Sequence, residues 1–318
     1  MLNKFLFTFM LAICMAFTIK AQQDTIIIDD EEVNEDSLNV DDSDDEWDEW
    51  SEDWEKDWKN HEKNWDWNFD FFSHKKPAIS LVYGQSNAKI KDFIPAFAKP
   101  YIAEIKIGYS SERNNEGLLI NSFDYLYLSN ISTKLNQNDP ATNDLENDLW
   151  RFGFGNSKGY SYRLGTAARI TPYYTTTFGW SKLNMFDQPQ DSLSNWKLDR
   201  FEKTLKFGTS SEGGIKIQII DQLAIDASYE RAIIFPRHLF WKWAGSALIE
   251  GAAMWGVDEF VQAVGENSPW ATPIVNFVLK NGLAYGLYEL RQKNMNWPFE
   301  SESPLGYDQF KVGLTFTF

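Results

Sequence analysis

The sequence predicts an all-β transmembrane fold, in which eight antiparallel strands form an up-and-down barrel. Runs of about ten residues alternate apolar with polar side chains, which is the period of a half-buried strand. The runs number eight, and an even number is typical of barrels in outer membranes. The connections between them alternate long and short, as expected for loops at one membrane surface and turns at the other.

The eight candidate strands share this alternation. In the clearest one, Tyr101–Tyr109, one face is apolar or aromatic and the other carries Glu104 and Lys106. The runs cover about 78–86, 100–110, 118–129, 149–163, 167–182, 203–219, 222–234 and 306–318.

The connections indicate which ends of the strands lie together. Long segments follow the first, third, fifth and seventh strands, whereas 164–166 and 220–221 are tight turns and 111–117 is intermediate. Long loops are extracellular and short turns periplasmic in barrels of this kind. The barrel is therefore expected to begin and end on the periplasmic side.

Alternation also assigns the two faces of each strand. A barrel in lipid places its apolar residues outside and its charged residues in the lumen, where acids and bases must pair to offset desolvation. The last strand then faces lipid with Phe310, Val312, Leu314, Phe316 and Phe318. The predicted lumen charge network comprises Glu104, Lys106, Asp124, Arg151, Arg169, Lys216, Asp226 and Glu230. A water-soluble antiparallel barrel or sandwich is the alternative, and it would bury the apolar face instead.

Residues 1–21 have the layout of a secretory signal peptide. A basic start is followed by the apolar run Phe5–Ile19, which is too short for a membrane-spanning helix, and by Ala21 as the cleavage position. A lipoprotein acylated at Cys14, the single cysteine, is the alternative. If Cys14 leaves with the signal, the mature chain has no thiol chemistry.

An acidic segment, 22–76, separates the signal from the body of the chain, 77–318. It contains 21 Asp and Glu against five Lys, which equals the whole net charge of −16. The remaining chain is nearly neutral and has no basic stripe, so no nucleic-acid partner is expected. The acidic segment is expected to lie in the periplasm.

Within this segment, about 44–66 reads as an amphipathic helix. Six of the fourteen Trp residues fall in residues 43–67, and at 100° per residue most of them share one helical face. A solvated acidic tail that contains Trp by compositional drift is the alternative. A docking helix fits better, because an uncovered Trp ridge is a poor surface in water. It would dock in a basic-rimmed groove of a periplasmic protein or fold back onto the periplasmic rim of the barrel. The predicted partner-binding residues are Trp47, Trp50, Trp54, Trp58 and Trp65.

Besides the acidic N-terminal segment, an insert at about 235–303 also departs from a simple barrel. Residues 238–264 and 273–293 read as two helices, with Thr272 as the N-cap of the second and Pro273 in its first turn. Their polar stripes are thin, so they need cover beyond each other. They either pack as a small domain of their own or offer a surface to lipid or to a partner.

Residues for catalysis are sparse. His238 and Ser246 are candidates for a lipid-modifying enzyme, but eight residues separate them, so they could not touch on one continuous helix. His61 and His74 lack companions for a metal site. No cofactor is expected.

On these residues the chain resembles the small eight-stranded outer-membrane β-barrels, over 78–234 and 306–318. Its Lys20-Ala21-Gln22 sequence and its Asn- and Trp-rich composition are similar to those of Bacteroidota. The resemblance implies that the strand from Phe310 to Phe318 is the signal read by the barrel-assembly machinery, and that outer-membrane lipid surrounds the barrel. The predicted function is a non-enzymatic scaffold or accessory subunit that docks another, unidentified envelope protein. An outer-leaflet lipid-modifying enzyme and a small-solute channel are the alternatives.

Overall fold

A computed structural model describes most of the chain from Lys75 onward. The described residues are 75–115, 118–135, 144–164, 168–187, 189, 191–202 and 204–318. The predicted signal peptide and the Trp-rich helix lie outside them.

Eight strands form a closed antiparallel barrel in which each strand pairs with its neighbours in the sequence. Closure is made by the first and last strands, whose register runs from Ala78 opposite Thr317 to Ile90 opposite Leu305. The strands are β1 (Lys75–Ile90), β2 (Tyr101–Asn115), β3 (Leu118–Ser132), β4 (Asn147–Leu164), β5 (Ala168–Met185), β6 (Lys206–Ile220), β7 (Leu223–Ile234) and β8 (Leu305–Thr317). The predicted eight-stranded barrel is therefore confirmed.

Several strands are longer than their alternating cores. The clearest case is β1, which continues past residue 86 to Ile90 because its last residues pair with the start of β8. The outward residues of this extension are polar, as in Asn87 and Lys89, so an apolar pattern does not reveal it. We call the end where β1 begins and β8 ends the open end of the barrel, and the opposite one the plugged end.

A short helix in the connection between β5 and β6, α1 (Ser192–Asp199), was not predicted. Asp191 is its N-cap and accepts a hydrogen bond from the Ser194 N–H at 2.8 Å, which lowers the pKa of the Asp191 carboxyl. A single 3₁₀ turn, Thr133–Leu135, follows β3. Eight residues are too few for a periodic pattern to stand out from a loop.

The insert between β7 and β8 is a helical hairpin, as predicted, formed by α2 (Phe240–Asn267) and α3 (Thr272–Arg291). The predicted N-cap was one residue off, because Ala271 precedes the helix and Thr272 is its first residue. The Thr272 hydroxyl instead donates to the Ser268 carbonyl at 3.3 Å, inside the preceding turn. Of the helices in the described part of the chain, none combines the length and the apolar character needed to cross a membrane.

Candidate functional site

The lumen contains a cluster of buried charges at the middle of the barrel. Lys311 on β8 donates to the carboxylates of Glu104, Glu212 and Glu230 at 3.2, 2.5 and 2.7 Å. Lys106 lies 3.3 Å from Glu212 and 3.5 Å from Glu104. All of these side chains are buried, so the strands β2, β6, β7 and β8 are joined through one ionic network.

Arg151 extends this network to β4. Its guanidinium donates to Glu230 at 2.8 Å and lies 5.6 Å from the centroid of the Tyr127 ring. With Lys106 and Lys311 it gives three cations against three glutamates. Buried charges of this kind are tolerated only when each is paired and hydrogen-bonded, which this geometry achieves.

Aromatic side chains fill the space around the charges. Lys106 lies over the Tyr125 ring at 4.9 Å, and the Tyr173 hydroxyl donates to Glu212 at 3.0 Å. Gly155 of β4 makes room for this, because a Cβ there would come within 2.5 Å of the Tyr125 ring. The middle of the lumen is therefore packed with buried side chains.

Of the eight residues predicted for the lumen network, seven point into the lumen. Three of those seven, Arg169, Lys216 and Asp226, lie nearer the open end than the central cluster, and Arg169 lies 2.8 Å from Glu112. Sequence reasoning did not include Glu212, which is four residues before Lys216 on β6 and so shares its face. Two glycines follow Glu212 and hide the alternation of β6. The spacing of four residues between Glu212 and Lys216 is nevertheless enough to predict that both point into the lumen.

The prediction that Asp124 points into the lumen was wrong, because its side chain lies on the outer face of β3. Its carboxylate accepts a hydrogen bond from Asn156 at 2.5 Å and lies 3.4 Å from Lys75. The register pairs Asp124 with Tyr109 and Asn156, both of which point outward. Side chains directly opposite each other share a face, so Asp124 must also point outward.

The plugged end of the barrel is closed by a hydrophobic core. Inward residues of the strand ends, among them Ile102 and Ile131, meet Leu145, Leu198 and Phe201 from the connections. Leu198 belongs to α1, which therefore serves as part of the plug. Buried side chains thus fill the lumen at two levels, in this core and in the central ionic network.

The outer face of the barrel is apolar over much of its surface. The five outward residues of β8 are all exposed, with values from 40% for Phe316 to 72% for Phe318. Neighbouring strands continue this surface with residues such as Leu81, Ile107 and Ile225. An apolar exterior around a charged interior is the reverse of a water-soluble protein and suits lipid.

One row of polar residues interrupts this exterior. The strand registers place its six members opposite one another across β3 to β8, so that they form a continuous line around the wall. Each is only partly exposed. We call this line the polar row: Asp124, Asn156, Thr176, Ser211, Arg231 and Asp308.

The helical hairpin covers this side of the wall, with α3 packed on β4, β5 and β6. Near the plugged end, the Tyr288 hydroxyl donates to Asp308 at 2.7 Å, and Arg231 lies 4.6 Å from the Tyr285 ring. Half-way along, Asn281 lies against the wall at Gly213, where any larger residue would collide with it. The hairpin thus takes the place that lipid or water would have beside the polar row.

The tip of the hairpin reaches the open end of the barrel. The Tyr162 hydroxyl, near the end of β4, donates to the Trp270 carbonyl at 2.8 Å. Two ion pairs join the two helices: Lys280 to Asp258 at 2.6 Å and Arg291 to Glu250 at 2.9 Å. The hairpin is therefore held along its whole length and spans the same height as the strands.

Much of the hairpin surface is exposed, with no cover within the described part of the chain. It exposes large apolar side chains on both helices. Gly251 and Gly256 on α2, and Gly282 and Gly286 on α3, have open space where a Cβ would be. We call this exposed surface the outer face of the hairpin; its large apolar residues include Leu248, Trp255, Phe260, Ile274 and Val278.

The two candidate catalytic residues do not form a site. His238 lies among aromatic rings, 5.7 Å from Phe207 and 5.9 Å from Trp243, and desolvation there lowers its pKa. Ser246 is buried on α2, and no hydrogen bond between the two is found in the described residues. Among the described residues there is also no group of three His, Cys, Asp or Glu side chains that could hold a metal ion.

Solved structures similar to this chain include three bacterial proteins. Neisserial surface protein A is 10% identical over 76% of this chain and 97% of its own, with a TM-score of 0.39. Ail, the attachment invasion locus protein of Yersinia pestis, is 12% identical over 76% and 99%, with a TM-score of 0.30. The outer membrane protein OprG of Pseudomonas aeruginosa is 10% identical over 77% and 97%, with a TM-score of 0.26. The sequence matches no family profile and no curated protein.

Proposed function

We propose that this protein is an outer-membrane β-barrel with a closed lumen, which acts as a scaffold and docks another envelope protein on the outer face of its hairpin. The proposal rests chiefly on one observation, the hairpin seated on the barrel wall with an apolar outer face that no described residue covers. The apolar exterior of β8 and its neighbours supports the membrane location. The Lys20-Ala21-Gln22 sequence supports a Bacteroidota-type source. In the proposed orientation, residues 22–76 lie in the periplasm.

A protein partner suits the outer face of the hairpin better than lipid alone. Glu259 is exposed there beside Phe260, and a lipid-facing carboxylate at this depth would be costly. Gly282 and Gly286, one turn apart on α3, have open space above them and allow another helix to approach closely, which is how helices associate in membranes. The partner we propose therefore contributes an apolar helix with a donor that reaches Glu259.

A channel is the weaker candidate. The central ionic network and the hydrophobic core at the plugged end would both have to open before a solute could pass. Planar-bilayer recordings of the purified barrel test this point, and we expect no conductance steps. Reproducible steps at neutral pH would favour the channel instead.

An enzyme is also less well supported, because His238 and Ser246 lie apart and His238 is enclosed by rings. Lipid analysis of a deletion strain tests this alternative. A change in acyl chains that the intact gene reverses would favour the enzyme over the scaffold.

Photo-crosslinking in intact cells tests the scaffold directly. A benzophenone amino acid at Val278, on the outer face of the hairpin, is compared with one at Val312, on the bare wall of β8. The two valines have similar exposure, 57% and 47%, so they differ mainly in which surface they occupy. We expect a discrete protein adduct from Val278 only. Lipid adducts alone at both positions would contradict the proposal.

A further inference from the structure

The open end of the barrel contains a polar cavity of about 480 Å³. The central network closes it from the plugged end, so it is a dead-end vestibule and not part of a passage. Its charged lining is unbalanced, with four basic side chains against two carboxylates. These are Lys75, Lys76, Arg169, Lys216, Glu112 and Asp221.

The two carboxylates of the vestibule are already engaged by one cation. Arg169 lies 2.8 Å from Glu112 and 3.8 Å from Asp221. Lys75 is also paired, with Asp124 on the outer face at 3.4 Å. The excess positive charge in the vestibule therefore belongs chiefly to Lys216 and Lys76.

Lys216 forms the inner end of the vestibule. Its Cα partner across the sheet is Asp226, whose carboxylate lies beyond ion-pairing distance of Lys216 and 3.3 Å from the Tyr173 hydroxyl that also contacts Glu212. The Lys216 amino group instead lies 5.5 Å from the Phe123 ring and 5.9 Å from the Tyr173 ring. Within the described part of the chain, no carboxylate lies in ion-pairing distance of it.

Lys216 is partly buried and, unlike the charges of the central network, has no direct ion pair among the described residues, although Asp226 lies across from it on β7. Enclosing a cation without an anion is unfavourable, so an anion entering from the open end would be attracted. Neutral donors stand around the same space, including Ser110, Asn121 and Gln218. Several donors and a lysine converging on one volume suit a group with many acceptor oxygens.

We propose that the vestibule binds a phosphate-bearing anion, with Lys216 contacting the phosphate and with Lys76 and Arg169 at the entrance. The phosphate belongs either to a small molecule of the periplasm or to a lipid headgroup at the rim of the barrel. Both present the same oxygens to Lys216. The proposal does not depend on the scaffold function, because it concerns the inside of the barrel.

Titration of the purified full-length protein with inorganic phosphate, in a phosphate-free maltoside detergent, tests this. We expect saturable binding by calorimetry, weakened about tenfold in Lys216→Met through the loss of a charge-assisted hydrogen bond. Lys216→Arg should retain most of the affinity. The matched control is Lys182→Met, on the outer face near the plugged end, which should bind as the wild type does.

Gel mobility with and without heating shows whether each variant is folded, and Lys216→Gln replaces Lys216→Met if the latter does not fold. Repeating the titration in phosphatidylglycerol nanodiscs distinguishes the two sources. A weakened apparent affinity there identifies the lipid headgroup, and an unchanged affinity identifies a soluble phosphate compound. The absence of saturable binding in detergent would overturn the proposal. Equal binding by the wild type and the neutral Lys216 variant would also overturn it.

Discussion

The guanidinium of Arg151 on β4 donates to the carboxylate of Glu230 on β7 at 2.8 Å, across the lumen of the barrel. These strands are not neighbours in the sheet, so the pair ties opposite walls together. Glu230 also accepts from Lys311 at 2.7 Å, whereas Arg151 has no second carboxylate in ion-pairing distance among the described residues. The two partners are therefore not equivalent.

This asymmetry predicts that Glu230→Gln destabilises the barrel more than Arg151→Met does. The first change leaves Arg151 with no carboxylate in ion-pairing distance among the described residues and takes one of three carboxylates from Lys311, and breaking a buried pair typically costs about 3–5 kcal/mol. The second leaves Glu230 still paired with Lys311. Urea unfolding of the barrel in lipid vesicles, followed by Trp fluorescence, measures both changes. A larger loss of stability in Arg151→Met would contradict the assignment.

The ionic network shows what alternation can and cannot predict. Charged residues that alternate with clear apolar neighbours, such as Glu104 and Lys106, were placed on the correct face from the sequence. Asp124 was not, because β3 begins with three consecutive apolar residues, Leu118 to Ile120, which set no parity. Only the pairing of β3 with its neighbours fixes its face, and a shift of one residue reverses every side chain.

The hairpin was predictable as two helices but not in its position. Its helical period is visible in the sequence, whereas the surface that it covers is set by contacts distant in the chain. The polar row was the available signal, because Thr176 and Ser211 are out of place on a wall that faces lipid. Their partial burial under the hairpin explains why these polar residues are tolerated there.

The contact between α3 and the wall predicts different effects for two glycine substitutions. Gly213→Leu would place a side chain where Asn281 lies, so we expect α3 to separate from β6 and the hairpin to become sensitive to protease. Gly282→Leu points into open space, so the hairpin should stay seated and protected. The same Gly282→Leu variant should lose the Val278 crosslink, because the added side chain blocks close approach of a partner helix. Equal protease sensitivity in the two variants would contradict the seated hairpin.

The Trp-rich segment predicts a second docking site. Replacing Trp50, Trp54 and Trp58 with Ala removes most of the aromatic stripe without altering charge. We expect the barrel to assemble normally while a co-purifying envelope protein is lost from detergent extracts. A matched control replaces Trp67, which falls on the other side of the predicted helix. Identical co-purifying proteins from the wild type and from the triple Trp variant would show that the segment is a solvated acidic tail.

The outward residue Phe318, directly after β8, allows a role in assembly to be tested separately from a role in stability. Phe318 is 72% exposed, so its side chain makes little contact within the barrel, although its N–H donates to the Pro77 carbonyl at 2.9 Å. If this residue is read by the assembly machinery, Phe318→Ala should lower the amount of folded barrel in cells but leave the urea midpoint of refolded protein unchanged. Phe152→Ala, on the wall of β4, is the control, because it removes an outward ring that packs against Trp180. Phe152→Ala should lower the urea midpoint of the refolded protein, and the amount of folded barrel in cells should fall to a matching extent. A fall in the midpoint of Phe318→Ala that matches its loss from cells would assign Phe318 to stability, and the assembly role would then be wrong.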